Sequence, residues 1–193
     1  MRFRLVVVLL SCVFLSSTVL AAEPNPHIRI LDHALAKTVS DGIARSPTFA
    51  RIVDGLDRSN VVVYIGFSKV LPPSLGGRTT FMTATGKWRY LRIVICTHLS
   101  EVQRIAMVAH ELHHALEIGS SPEVRDLHSL ADLYKAIGVP AACQTQCYET
   151  ASAIDAADDV DRELRRWPGV RTATPPAVAH PSHSRGAFVA TKE

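Results

Sequence analysis

Beyond residue 22 the chain lacks any uninterrupted apolar run approaching the ~18 residues that cross a bilayer as a helix, so nothing in its body reads as a membrane span. It also lacks an excess of charge. Setting aside Arg2 and Arg4 reduces the 21 basic residues to 19, against 18 acidic ones that all follow residue 22. A net charge near +1 leaves no electrostatic footprint for nucleic acid. Cysteine is sparse as well: there are 4, with no second CxxC-like pair to complete a thiolate metal site. No internal repeat is visible, which excludes a solenoid.

What is present begins with an export signal. Arg2 and Arg4 precede the apolar run "LVVVLLSCVFLSSTVLAA", which ends in small residues ahead of Glu23-Pro24, so residues 1–22 are expected to be a secretory signal peptide. The expected destination is periplasmic or secreted. A lipoprotein alternative would use Cys12, but the apolar run continues well past it. The remaining ~170 residues suit one domain with its own core, expected over 23–170. Residues 171–193, "RTATPPAVAHPSHSRGAFVATKE", have no period and a Pro/Ala/Ser/His bias, and are expected to be a disordered tail. Export permits a disulfide, and "CQTQC" places Cys143 and Cys147 close enough to form one, leaving Cys96 as a lone thiol in an apolar strand.

The element order reads as α+β. Helical spacing over "IRILDHALAKTVSDGIARSPTFARIVDGL" is broken at Gly42 and Ser46-Pro47, giving one helix and then a shorter one. "VVVYIGF" (61–67) is β-branched and aromatic and is expected to be a strand buried on both faces, and "LPPSLGG" a loop. Two strand-like runs flank Thr85-Gly86, which predicts a β-hairpin with its second arm over 88–96. Three helices follow. The first is capped at Ser100, with Gln103 completing a capping box, and ends at Gly119. The second is expected from Ser121-Pro122 to Gly138 with Val124, Leu127, Leu130, Ala131, Tyr134 and Ile137 inward, and the third from about Cys147 or Glu149 to Arg166. The expected whole is a small domain of N-terminal helices, a short antiparallel or mixed sheet with a hairpin, and three closing helices.

The first of those three carries the chemistry. His110-Glu111-Leu112-His113-His114 is an HExxH sequence. Residues four apart on a helix stand one above the other, so His110 and His114 can aim ring nitrogens at one zinc ion. Glu111 projects beside it, placed to move a proton between water and a leaving amine. The bland alternative is an exposed polar stripe without metal. Against it, Val102, Ile105, Ala109, Leu112 and Leu116 make the helix's other side apolar.

The third ligand decides the class. Glu117 and Ser120 stand where the metzincin extension requires Gly and His, so that class is excluded. Glu117 lies seven residues beyond His110, roughly 10 Å along the axis, too far for one ion to take both from a straight stripe. It is either a support behind a ligand or a solvated carboxylate. Glu149 is the expected third ligand, with Asp126 as the alternative and Glu123 beside it in the next helix.

"AHELHHALEIG", followed about thirty residues later by "CYETASA", resembles the gluzincin arrangement of the zincin metallopeptidases, most of all the small single-domain minigluzincin type. It is also similar to a group of short exported bacterial proteins with HEL-x-HA-x-E and a later Tyr/Phe-Glu-Thr. The resemblance spans about residues 60–166. It implies a zinc-dependent hydrolase of peptide or protein substrates, with His110, His114 and Glu149 as ligands and Glu111 as base. It implies further that the strand before the motif helix, "WRYLRIVI", is an edge strand that holds an extended substrate antiparallel to itself. One position departs: thermolysin-like gluzincins carry Asp four residues after the ligand Glu, where this chain has Ala153. Tyr148, His128 and Arg125 are the candidate oxyanion donors. The competing hypothesis is a non-catalytic zinc-containing binding module on the same fold.

Overall fold

The computed structural model describes residues 25–72, 75–140, 147–167 and 185–189. The expected signal peptide, Cys12, Cys143 and most of the expected tail lie outside them. The described residues are α+β. In chain order they form β1 (Ile28–Ile30), α1 (His33–Arg45), α2 (Pro47–Asp57), β2 (Val61–Ser68), β3 (Leu75–Thr85), β4 (Trp88–Cys96), α3 (Glu101–Gly119), α4 (Leu127–Ile137), β5 (Val139–Pro140), β6 (Cys147–Glu149), α5 (Ala151–Arg166) and β7 (Arg185–Val189).

The strands make one mixed sheet in the order β1-β2-β4-β3-β7-β6-β5. β1, β2 and β4 are parallel, β3 is antiparallel to β4, and β7 runs parallel to β3. The hairpin joining β3 to β4 turns at Gly86, whose φ of +55° is a left-handed conformation that side chains resist. α3 packs on β2, β3 and β4 and is covered in turn by α1, α2 and α5. Every residue of α3 from Ile105 to Leu112 is therefore buried, polar ones included.

Several expectations need correction. β4 is not an edge strand: β2 and β3 pair with it on both sides. Strand order is set by which nonlocal partners meet, and the local pattern of 88–96 carries no signal of that. The expected loop 71–77 ends early, since Leu75, Gly76 and Gly77 already belong to β3. Ile28–Ile30 is a strand parallel to β2 rather than the start of a helix. Val61, Val62, Val63 and Ile65 of β2 are buried, whereas Tyr64 is half-buried with Arg29 stacked on it, 5.2 Å from the ring centroid. α4 begins at Leu127, not at Ser121-Pro122, because Asp126 and Ser129 form a reciprocal capping box. Ile137 of its expected apolar stripe is exposed. Glu149 ends a short strand, and Thr150, not Cys147 or Glu149, caps α5. Residues 185–189 of the expected tail form β7.

Two buried polar groups lock the layers. Arg89 of β4 is 1% exposed and donates to the carbonyls of Ile118, Gly119 and Ser121 and to the Asn60 side chain. It thus adds charged donors to carbonyl groups at and just beyond the end of α3, where the helix dipole is negative. Ser46 ends α1 and caps α2, and its hydroxyl donates to Glu163 of α5 at 2.5 Å. Glu163 also accepts from the Thr48 backbone N–H at 3.1 Å and the Thr48 hydroxyl at 2.8 Å. Burial would raise the Glu163 carboxyl, but these donors outweigh it and hold its pKa below the usual range. A depressed folded pKa stabilises above the unfolded value of about 4.3 and is lost as pH falls through the folded one. Glu163→Gln is accordingly expected to cost about 1 kcal/mol at pH 7, a penalty that shrinks below about pH 4, as read by urea unfolding at both pH values.

Candidate metal centre

The centre is built from the middle of α3, the end of β6 and one residue of β3. His110 and His114 share a face of α3 by their i,i+4 spacing, and β6 brings Glu149 over that face. His110 Nε2 lies 3.0 Å and His114 Nε2 3.3 Å from Glu149 Oε1. Neither Nε2 has a hydrogen-bond partner, and Glu149 Oε2 has none either. The three donor atoms lie within 4.8 Å of one another. Two imidazole nitrogens without hydrogen-bond partners and a carboxylate that keeps one oxygen free, the other accepting from the Thr150 N–H at 3.1 Å, are a donor set able to hold a metal ion. Exposure is 3% for His110, 0% for His114 and 3% for Glu149, so the motif is not an exposed polar stripe.

Behind the ligands stands Glu117. Its Oε2 accepts from His114 Nδ1 at 2.8 Å, leaving Nε2 free to coordinate a metal ion. Tyr134 of α4 donates to the same oxygen at 3.1 Å, and the Thr150 and Ser152 hydroxyls donate to Oε1 at 2.6 and 2.7 Å. Of its two expected roles, Glu117 takes the supporting one. Ala153 is buried, and the carboxylate that orients an imidazole comes from α3 rather than from α5.

The charges answer one another. Burial disfavours a charged His114, but Glu117 and Glu149 outweigh it and carry its pKa to about 10. Burial likewise opposes ionisation of both carboxylates, yet His114 lowers Glu117 to about 2, and His110 with His114 lowers Glu149 to about 2. The carboxylates thus call for positive charge where the Nε2 atoms meet Glu149. A cation meets that demand and lets His114 coordinate as neutral imidazole.

Glu111 points to the sheet side. It is fully buried, Thr79 Oγ1 of β3 donates to its Oε2 at 2.7 Å, and Oε1 has no partner. Burial raises its pKa, against the lowering influence of His110, His114 and the Thr79 bond. Gly77 makes this packing possible: a Cβ there would stand 2.6 Å from Glu111 Oε1. Gly77, Thr79, Tyr134 and Thr150 escape sequence reasoning because they contact the motif from three other places, β3, α4 and the cap of α5. The one available hint was the Gly76-Gly77 pair opening a strand.

The remaining expectations fall elsewhere. Asp126 is exposed and caps α4 by accepting from the Ser129 N–H at 2.8 Å, and Glu123 is also exposed. Arg125 donates to the Gly86 carbonyl, and exposed His128 lies 3.4 Å from Asp132. Tyr148 is half-buried and stacks on Tyr134 with centroids 6.2 Å apart. His113 is not a ligand. It lines an open depression of about 400 Å³ with Arg51, Leu116, Ser152, Asp155 and Asp159, which none of the three ligands borders. Cys147 is disulfide-bonded and Cys96 is a buried free thiol. No helix among the described residues is long and apolar enough to cross a membrane.

No protein-family model, no curated protein and no solved structure matches this chain. Glu149→Ala is expected to lose the metal and Asp126→Ala to keep it, by elemental analysis of the purified proteins. Glu117→Gln should weaken metal affinity about 10–100-fold in a chelator competition, with the far-ultraviolet circular dichroism unchanged.

Proposed function

We propose that this chain is an exported zinc-dependent peptidase of the gluzincin kind, in which His110, His114 and Glu149 hold the metal and Glu111 is the general base. One observation carries the reading. A buried carboxylate, fixed through one oxygen by Thr79 and with its other oxygen unpartnered, sits in the electrostatic field of His110, His114 and Glu149. Two imidazoles with one carboxylate is a donor set that suits zinc with an open coordination position.

Zinc, when bound, supplies Lewis acidity toward a water molecule and a carbonyl oxygen. Glu111 Oε1 takes the proton released by the attacking water and returns it to the leaving amine nitrogen. Thr79 decides which oxygen does this, because its hydroxyl occupies Oε2. Burial keeps Glu111 more basic than a solvated carboxylate, which favours proton capture. Glu117 keeps His114 in the tautomer with Nε2 forward. Export rests on the composition of residues 1–22.

A second reading, a non-catalytic zinc-containing binding module, is favoured by the closure of the centre: Glu111 and His114 have no exposed surface. The expected oxyanion donors Arg125 and His128 are also engaged elsewhere.

Glu111→Gln separates the two. In the peptidase it should lower hydrolysis of a mixed peptide library by about 10²–10⁴-fold while zinc content stays that of the wild type. Equal cleavage by variant and wild type would sink the catalytic assignment, and a zinc-loaded wild type inert toward the library favours the binding module.

A further inference from the structure

Successive side chains of a strand point to opposite faces of a sheet, and registered partners on neighbouring strands point to the same one. The row Ile65–Ile93–Thr79 lies under α3, since Thr79 is bonded to Glu111, and all three residues are fully buried. The next row, Arg29–Tyr64–Arg92–Thr80, is therefore on the face turned away from the metal centre. Tyr90 and Trp88 share that face by their places in β4, and Arg78 by its place in β3. Leu31 joins them, because a Cβ on Gly66 would stand 3.6 Å from its side chain.

The residues of this face carry cations and no anions. β1, β2, β3 and β4 contain no Asp or Glu. Arg29 and Arg92 are exposed and sit two strands apart, about 10 Å by strand spacing, while Arg78 is half-buried one row on. Among the described residues none of the three is in an ion pair, whereas Arg45, Arg162 and Arg165, all on helices, each face a carboxylate. The carboxylate closest in sequence to Arg29, Asp32, caps α1 by accepting from the Ala34 N–H at 2.9 Å. The helix layer is the reverse. α5, which packs on α1, α2 and α3, carries five carboxylates against three arginines. A net charge near +1 therefore averages a basic sheet face and an acidic helix, and a molecule so polarised is oriented by the field of a charged surface.

The kind of surface follows from three features. The cations spread over β1, β4 and β3 instead of lining one groove, which suits an extended anionic plane. Leu31 is 63% exposed among them, and Tyr64, Tyr90 and Trp88 are half-buried aromatics of the kind that settle at the level of lipid headgroups. A single-stranded nucleic acid would need free aromatic faces for its bases, but Arg29 stacks on the Tyr64 ring and Lys87 on the Trp88 ring, each 5.2 Å from the centroid. We propose that this sheet face docks the protein peripherally on an anionic phospholipid surface, with Arg29 and Arg92 toward the headgroup phosphates and Leu31 at the acyl boundary. Docking of this kind needs neither the metal nor peptidase activity.

The test takes the protein recovered after export, so that no leader contributes, and reads co-sedimentation with vesicles of equal parts phosphatidylglycerol and phosphatidylcholine against phosphatidylcholine alone. The wild type should sediment with the anionic vesicles only. It should be released as salt rises from about 0.1 M to about 1 M, where the screening length falls from about 10 Å to about 3 Å. One basic residue at such a surface is worth about fivefold in partitioning, so Arg29→Gln with Arg92→Gln should lower it about 30-fold. Arg162→Gln with Arg165→Gln removes the same charge from α5 and should leave partitioning unchanged, and Arg29→Lys with Arg92→Lys should retain it. All three variants should keep the far-ultraviolet circular dichroism of the wild type. No binding to the anionic vesicles, equal binding to both vesicle types, or equal loss in the two glutamine pairs overturns the proposal. Tighter binding of a fluorescent oligothymidylate or polyglutamate than of the anionic vesicles, lost in Arg29→Gln with Arg92→Gln, overturns it too and assigns the face to a soluble polyanion.

Discussion

Removing several ionisable side chains from water at one point is the constraint around which the molecule is arranged. An unpaired buried charge costs several kcal/mol, and Glu111, Glu117 and Glu149 gather with two imidazoles around the middle of α3. Each is compensated from a different part of the chain. Thr79 comes from β3, Tyr134 from α4, and Thr150 and Ser152 from the start of α5. The sheet supplies a hard wall, with Gly77 letting β3 approach α3 closely. The helices α1, α2 and α5 close the other side, so that α3 has no solvent face over its middle turns. Among the buried atoms left without hydrogen-bond partners are the Nε2 atoms of His110 and His114 and one oxygen each of Glu111 and Glu149, the atoms a cation and a water-handling base would use.

Much of this was legible from local pattern. Ser100 with Gln103 and Gly119 marks α3 to the residue, Gly86 marks the hairpin, and the four-residue spacing of His110 and His114 is itself geometry. Glu149 was reachable because a chain of three helices in succession has few ways to return a carboxylate to the first. The failures share one cause, dependence on partners distant in sequence. Which edge of β4 is free, whether 185–189 pairs with anything, and where α4 starts are decided by tertiary contacts or by a capping pair that competes with an equally good one. Glu117 is the instructive case. Helix arithmetic set it apart from the converging His110, His114 and Glu149 atoms, but could not show that Nδ1 of His114 faces it across three residues.

Ala153 sharpens the same point. The departure from the thermolysin-like pattern removed a carboxylate from the helix after Glu149, and it reads at first as a missing support. In the folded chain the support for His114 is supplied from α3 itself, with Thr150 and Ser152 of the next segment donating to it. Glu117 thus serves the second histidine of the motif, whereas the Asp of the thermolysin-like pattern buttresses the first. Where each buried donor and acceptor finds its partner is what links the chain to a chemistry.

Arg89 has a further consequence, one of axial register. A metal donor set tolerates errors of about 0.2 Å, while a helix that slips by one residue along its axis moves every side chain by about 1.5 Å. Apolar packing between a helix and a sheet resists such sliding only weakly, since it has no direction. The guanidinium of Arg89, reaching from β4 to the carbonyls of Ile118, Gly119 and Ser121, fixes the end of α3 at one height above the sheet. The accuracy with which His110 and His114 meet Glu149 is thus set at the far end of the helix, by a planar fork that a lysine's single ammonium could not reproduce.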